Sequence, residues 1–286
     1  MTELEPVRIT HAVPLALGAR TYDLCRRVLV MGIVDLTQQA SSERAGSFEL
    51  DAALALAEEM AAAGADIIDV GAGAGPNEST DEHAERVASA IAVIAGRTGL
   101  PVSIETHRAS VADAAFGAGA VLGNDRSGFA DPEYLAVAAR HGASVVATVA
   151  DLTTRVDGRD LDLPAEDAVA AVEQYLRERI EHCRTAGIGD DRVIFDAGLD
   201  CGKTAPQWVR LLGASGRLGA LGRPLMLSAS TEELPGELCG HPLSSRDEIV
   251  AAAVALGVTL GCRIVRVHDV EAARRVCRTL EAVLAA

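Results

Sequence analysis

The sequence predicts one α/β domain, a (β/α)8 TIM barrel, and three observations carry that expectation. The chain has 286 residues, close to the about 250 that one closed eight-unit barrel occupies. Short apolar, β-branched runs alternate with longer stretches of one-sided helical pattern, the signature of consecutive βα units. No Pro/Gly/Ser-rich linker or break in composition divides the chain. Eight units in this length favour the closed barrel over a doubly wound open sheet.

In chain order, the strands are expected at Leu29 to Val34, Ile67 to Val70, Val102 to Ile104, Val121 to Asn124, Ser144 to Val149, Val193 to Asp196, Pro224 to Leu227 and Ile264 to Val267. Most are nearly continuous apolar runs, as parallel strands buried on both faces require. Between them, Val169, Val172, Leu176, Ile180 and Cys183 recur at spacings of three and four, as do Val270, Ala273, Val276, Leu280 and Val283. Each set is one buried stripe of an outer helix. Thr80, with His83 three residues on under an acidic first turn, and Ser245 before Arg246, Asp247 and Glu248 mark helix starts. Residues 1–27 precede the first strand and are expected to cap the bottom of the barrel, which residues 28–286 form. The stretches Asp151 to Pro164 and Thr231 to Ser244 read as long loops at the C-terminal ends of strands, where barrel chemistry sits.

Composition narrows the function. Acidic residues outnumber basic ones 41 to 26, a formal net charge of -15, which repels phosphate backbones and anionic lipid surfaces. Aromatic residues make up 3% of the chain, too few for base-stacking platforms. The longest uncharged apolar stretch, Ile249 to Cys262, is short of the roughly 20 residues a membrane span needs. MTELEPVRIT lacks the basic and apolar regions of a secretory signal. The expectation is a cytoplasmic protein with no nucleic-acid or membrane partner. Six scattered cysteines without a C-x-x-C pair fit packed, reduced thiols. Lys203 is the single lysine beside 25 arginines.

Polar residues stand at nearly every strand's C-terminal end: Asp35, Asp69, Glu105, Asn124 with Asp125, Asp196, and Arg266 with His268. Converging acids repel one another unless a cationic, donor-rich or metal-bound ligand offsets them. Arg266 and His268, two residues apart on one strand, are expected to share a face. Such a pair suits a phosphate, diphosphate or carboxylate group, with salt bridging to neighbouring acids as the alternative. The GAGAG run, Gly71 to Gly75, lacks both the G-x-G-x-x-G spacing and a Walker lysine.

MGIVDLT (31–37), GADIIDVG (64–71), VSIET (102–106), GNDRSG (123–128), DAGLDCGKT (196–204) and RIVRVHDV (263–270) stand in the order and spacing of the dihydropteroate synthase family, which the chain resembles over nearly its whole length. The resemblance implies a homodimeric TIM barrel that joins p-aminobenzoate to a hydroxymethyl-dihydropterin diphosphate with magnesium, displacing diphosphate. It implies that Asp196 and Asn124 receive the pterin, with Asp69, Glu105 and Cys201 alongside, and that Arg266 and His268 hold the diphosphate. Asp35, Lys203, Arg266 and His268 are then the candidate catalytic set, and Asp35 the candidate ligand of Mg2+.

Several positions depart from the family pattern. The first loop reads DLTQQAS, with Asp35, Gln38, Gln39 and Ser41 in place of asparagine, proline, aspartate and phenylalanine. The second loop survives only to Gly71, and Ala197 and Cys201 replace proline and phenylalanine. The family's S-R-K aligns with Ser230, Thr231 and Glu232, so a carboxylate replaces the pterin-binding lysine. That reversal costs about 2 to 5 kcal/mol of pterin affinity. The expectation is a dihydropteroate synthase-like protein without the normal activity, binding a pterin-like or diphosphate ligand. The alternatives are a transferase of altered specificity, an authentic synthase with a rebuilt site and, more distantly, a tetrahydrofolate-dependent methyltransferase.

Overall fold

The computed structural model describes residues 14–25, 27–36, 47–71, 73–74, 78–150, 152–156, 159–229 and 246–284. Eight parallel strands close into a barrel: β3 (Leu29–Asp35), β4 (Ile67–Gly71), β5 (Val102–Glu105), β6 (Leu122–Asp125), β7 (Ser144–Thr148), β10 (Val193–Asp196), β11 (Leu225–Ser228) and β12 (Ile264–Val267). Their order around the barrel follows the chain, with β12 pairing back onto β3. All eight stand where the apolar runs place them, to within a residue at either end.

The helices form the outer ring: α1 (Ser47–Ala62), α2 (Thr80–Thr98), α3 (Ala109–Gly117), α4 (Tyr134–Arg140), α5 (Ala168–Thr185), α6 (Ala205–Gly213), α7 (Ser215–Gly219), α8 (Arg246–Leu260) and α9 (Val270–Leu284). On α5, Val172, Leu176, Ile180 and Cys183 are buried in the main core with strand residues Val145 and Val193, as the periodicity requires. The α9 stripe runs out before its end, where Val283 is 65% exposed.

Two sequence expectations are corrected. The cap of α2 is Ser79, not Thr80: Glu82 reaches back to the Ser79 amide at 2.9 Å while the Ser79 hydroxyl accepts from Glu82 N, a reciprocal capping box. His83 instead turns inward and is buried. The stretch expected as a plain loop from Asp151 holds an antiparallel hairpin, β8 (Thr153–Val156) with β9 (Arg159–Asp162). The signal is in the sequence: Asp157–Gly158 between β-prone residues is a strong short-range hairpin cue. The expected cap at Ser245 lies outside the described residues.

A second antiparallel hairpin, β1 (Leu15–Leu17) with β2 (Arg20–Tyr22), precedes the barrel. Leu15, Leu17 and Leu24 pack into one cluster with Leu29, Met31, Ile67, Leu122, Val146, Ile194, Met226 and Ile264. Those partners are inward-facing residues of the strands, so the hairpin fills the N-terminal opening of the barrel. The Ser144 hydroxyl donates to Ala16 O at 2.5 Å and ties the hairpin to β7.

Candidate functional site

Strand side chains alternate between faces, so the inward residues below fix the tier above them. Ile33, Asp69, Glu105, Asn124, Thr148, Asp196, Ser228 and Arg266 are the inward residues toward the C-terminal ends of the strands, all but Ile33 polar, with Asp35 in phase above Ile33 at the end of β3. Asp69, Asn124, Thr148, Asp196, Ser228 and Arg266 are buried, and their polar groups face one another instead of water.

Arg266 is the hub. Its Nε donates to Asp69 Oδ2 at 2.7 Å, its Nη1 lies 3.4 Å from Asp200 Oδ2, and its Nη2 donates to Glu105 Oε2. Burial alone would lower its pKa, but Asp69, Glu105 and Asp200 together raise it above the ordinary arginine value, so the guanidinium stays charged. Asn124 Nδ2 also donates to Asp69 Oδ2, at 3.1 Å. Asp69 Oδ1, Asn124 Oδ1 and Thr148 Oγ1 are buried without a hydrogen-bond partner among the described residues. Buried acceptors of this kind demand donors.

Asp196 accepts from Gly198 N and from the Ser228 hydroxyl, both at 2.8 Å. Burial, followed by the charge of Asp200, pushes its carboxyl up to about 6. Burial also raises Glu105, against the pull of Arg266. Asp125, by contrast, serves its own loop: it accepts from Ser127 N at 2.7 Å and Phe129 N at 2.9 Å, and holds Phe129 at a φ of 66°.

Two participants escaped the sequence reading. Arg126, directly after β6, donates to Asp200 O at 2.6 Å and sits 3.6 Å from Glu105 Oε1 and 3.7 Å from Asp200 Oδ2. At 31% exposure it is open to the mouth, whereas Arg266 is not. Asp200, in the loop after β10, is shared by both arginines. Both stand inside quoted motifs, GNDRSG and DAGLDCGKT, but neither lies on a strand, so no alternation fixed their direction. Cys201 lies 3.7 Å from Arg126 Nη2 and 3.5 Å from Asp200 Oδ1. Burial, then Asp200, pushes its thiol up to about 12, so it is a neutral donor near pH 7.

Lys203 is buried, and its Nζ donates to Val149 O at 3.0 Å, Cys201 O at 3.1 Å and Ala150 O at 3.2 Å. The ammonium thus ties the end of β7 to the loop after β10. The loop can come this close only because Gly198 has φ 64° and no side chain, since a Cβ there would lie 2.0 Å from Val149 O.

Arg266 and His268 differ in burial. Strand β12 ends at Val267; Arg266 points into the barrel, whereas His268 lies exposed beyond the strand. There it lines a cavity of about 110 Å3 with Asp247, Asp269 and apolar residues of α8 and α9. Asp35 is half-buried at the end of β3. Among the described residues no group of three or more His, Cys, Asp or Glu side chains could hold a metal ion. Mg2+ ordinarily takes one or two carboxylates with substrate phosphates, and Asp35 offers one carboxylate at the C-terminal end of β3. Glu232, Ser230, Thr231 and the 37–41 part of the first loop lie outside the described residues. No helix among the described residues is long and apolar enough to cross a membrane.

Residues 31–268 match the family described as pterin binding enzymes. A dihydropteroate synthase of Bacillus subtilis is 32% identical over 98% of this chain and 95% of its own length. A protein of Mycobacterium leprae named inactive dihydropteroate synthase 2 is 36% identical over 87% of this chain and 88% of its own. Among solved structures, dihydropteroate synthase from Xanthomonas albilineans in complex with 7,8-dihydropteroate superposes with a TM-score of 0.81 at 31% identity, covering 96% of this chain and 99% of that one.

Proposed function

From the premise that this chain belongs to the dihydropteroate synthase family of pterin-binding enzymes, we propose that it binds a pterin-like heterocycle in the barrel mouth and lacks the normal synthase activity. The state of Arg266 carries the reading. In the family the residue at this position holds the substrate's diphosphate; here the guanidinium is buried under Asp69, Glu105 and Asp200. A diphosphate reaching it must break a buried ion cluster, at about 3 to 5 kcal/mol for each pair disrupted, and then face three carboxylates.

The heterocycle end keeps its acceptors. Asp196, ionised above about 6, and the unpartnered oxygens of Asn124 and Asp69 suit the amino and ring N–H groups of an aminopyrimidine edge. Lys203 acts here as a positioning residue that holds the loop carrying Asp200 and Cys201. The reversed charge at Glu232 and the altered first loop agree with this reading, as does the likeness to relatives named inactive. The reading extends to a homodimer in the cytoplasm; of the 1–27 segment expected to cap the barrel, residues 1–13 and 26 lie outside the described residues.

One observation favours a second reading, a transferase of altered specificity. Arg126 is a cation open to the mouth and is placed to receive a leaving diphosphate. An amine would attack the exocyclic methylene, the C–N bond would form as the C–O bond to diphosphate breaks, and the amine proton would leave to solvent.

Calorimetric titration with hydroxymethyl-pterin, with its diphosphate and with a diamino analogue, each with and without Mg2+, separates the readings when paired with an assay for dihydropteroate. The proposal expects hydroxymethyl-pterin to bind, the diphosphate to add less than about tenfold in affinity, and no product. Product formation together with tightening of about a hundredfold or more by the diphosphate overturns it; tighter binding of the diamino analogue supports altered specificity.

A further inference from the structure

The opposite end of the barrel carries a second basin that the mouth chemistry does not use. About 650 Å3 of open volume lies between the β1–β2 hairpin, the segments leading into β4 and β5, and α9, with four arginines on its walls: Arg20, Arg27, Arg274 and Arg278. Asp66 is the single carboxylate among the lining residues. In a chain of net charge -15, a basin with a surplus of positive charge runs against the overall balance.

The arginines divide into two pairs. Arg274 is buried and donates to Gly64 O at 2.8 Å, to Val28 O at 3.3 Å and to Asp66 Oδ2. Arg27 pairs with Asp66 Oδ1 and lies 5.7 Å from the centre of the Tyr22 ring. Asp66 also accepts from Val30 N at 2.9 Å, so this pair satisfies a structural carboxylate at the foot of the barrel. Arg20 and Arg278 have no carboxylate partner among the described residues. Arg20 is fixed at 2.7 Å from Gly99 O, and the Arg278 side chain is exposed, with no hydrogen bond or ion pair among the described residues. Glu281, on the same helix as Arg278, accepts from Val28 N at 2.6 Å.

We infer that this basin is an anion site for a small molecule bearing a di- or triphosphate group. Guanidinium forks match phosphate oxygens in pairs. Arg20 and Arg278 supply the forks, Arg20 already held in place by Gly99 O, which lowers the ordering cost of binding; the Arg27–Arg274–Asp66 group adds one net positive charge behind them, and the volume is that of a ligand site for a molecule of nucleotide size. The site is independent of the mouth and stands whether or not the mouth performs group transfer.

The test is calorimetry on the full chain with inorganic triphosphate, ATP and adenosine as probes, at low and raised sodium chloride. Saturable one-to-one binding of triphosphate, weakened by salt, is expected, with ATP bound at least as tightly. The double variant Arg20→Ser/Arg278→Ser, both surface changes, is expected to lose at least tenfold in affinity for triphosphate. Arg126→Ser at the mouth is expected to leave it unchanged. Absence of saturable triphosphate binding, adenosine binding as tightly as ATP, or loss of triphosphate binding in Arg126→Ser with retention in the double variant each overturns the inference.

Discussion

Asp196 offers the sharpest test of the mouth's electrostatics. Its carboxyl sits at about 6 in the folded chain, against ~3.9 when unfolded. The native state therefore takes up the proton first. Stability from this group is fully present below the unfolded value and is lost as pH rises through about 6. Between pH 7 and pH 5 the chain should gain about 1 kcal/mol from this group, worth about 3 °C in Tm for a domain of this size. Asp196→Asn keeps the volume, can still accept from Gly198 N, and abolishes the titration. Glu105, raised by the same cause, titrates in both proteins and cancels in the difference. Urea unfolding of both proteins at pH 7, 6 and 5 is the assay, and the gap between the curves should change by about 1 kcal/mol across that window. Parallel curves would refute the argument that burial among acids raises this carboxyl. Affinity for hydroxymethyl-pterin should fall about tenfold per pH unit below about 6 in the natural chain.

Other expectations follow from the same contacts. Leu17→Ala in the hairpin, where the leucine is 1% exposed, should cost about 2 to 5 kcal/mol, read as a lower urea midpoint with an unchanged slope. A loss below about 1 kcal/mol would mean the hairpin does not hold the barrel floor. Lys203→Met strands three carbonyls and should destabilise the chain by about 3 kcal/mol; unchanged stability would return the lysine to a purely chemical role. Gly198→Ala should cost more than about 2 kcal/mol, since a Cβ meets Val149 O and φ is 64°, and soluble expression with an unchanged Tm would contradict that.

The barrel was legible because strands buried on both faces must be apolar throughout, and nothing else in the chain produces eight such runs. The inward acids were legible for a related reason: a polar residue in phase with the inward positions of its strand, as Asp196 is with Ile194, points to the mouth, whereas Asp125, one residue out of phase, serves its own loop. What spacing does not encode is pairing. Arg266 was read as a ligand contact with salt bridging as the alternative, and only coordinates show that three carboxylates surround it. Arg126 and Asp200 lie on loops, where no period fixes direction. Lys203 carries the family's signature, yet it donates to three backbone carbonyls, brought within reach by a glycine conformation that the letters do not display. His268 stands one residue past the end of its strand, where alternation no longer fixes a face.

The three-way grip on Arg266 also acts as a brace. One side chain from β12 fastens β4, β5 and the loop after β10 across the lumen, so the upper rim behaves as a single mechanical unit. A molecule that drew the guanidinium away would slacken several staves at once. Its arrival should then register as faster amide exchange in strands it never touches, while one that leaves the brace seated and fills only the empty acceptors should tighten the whole rim.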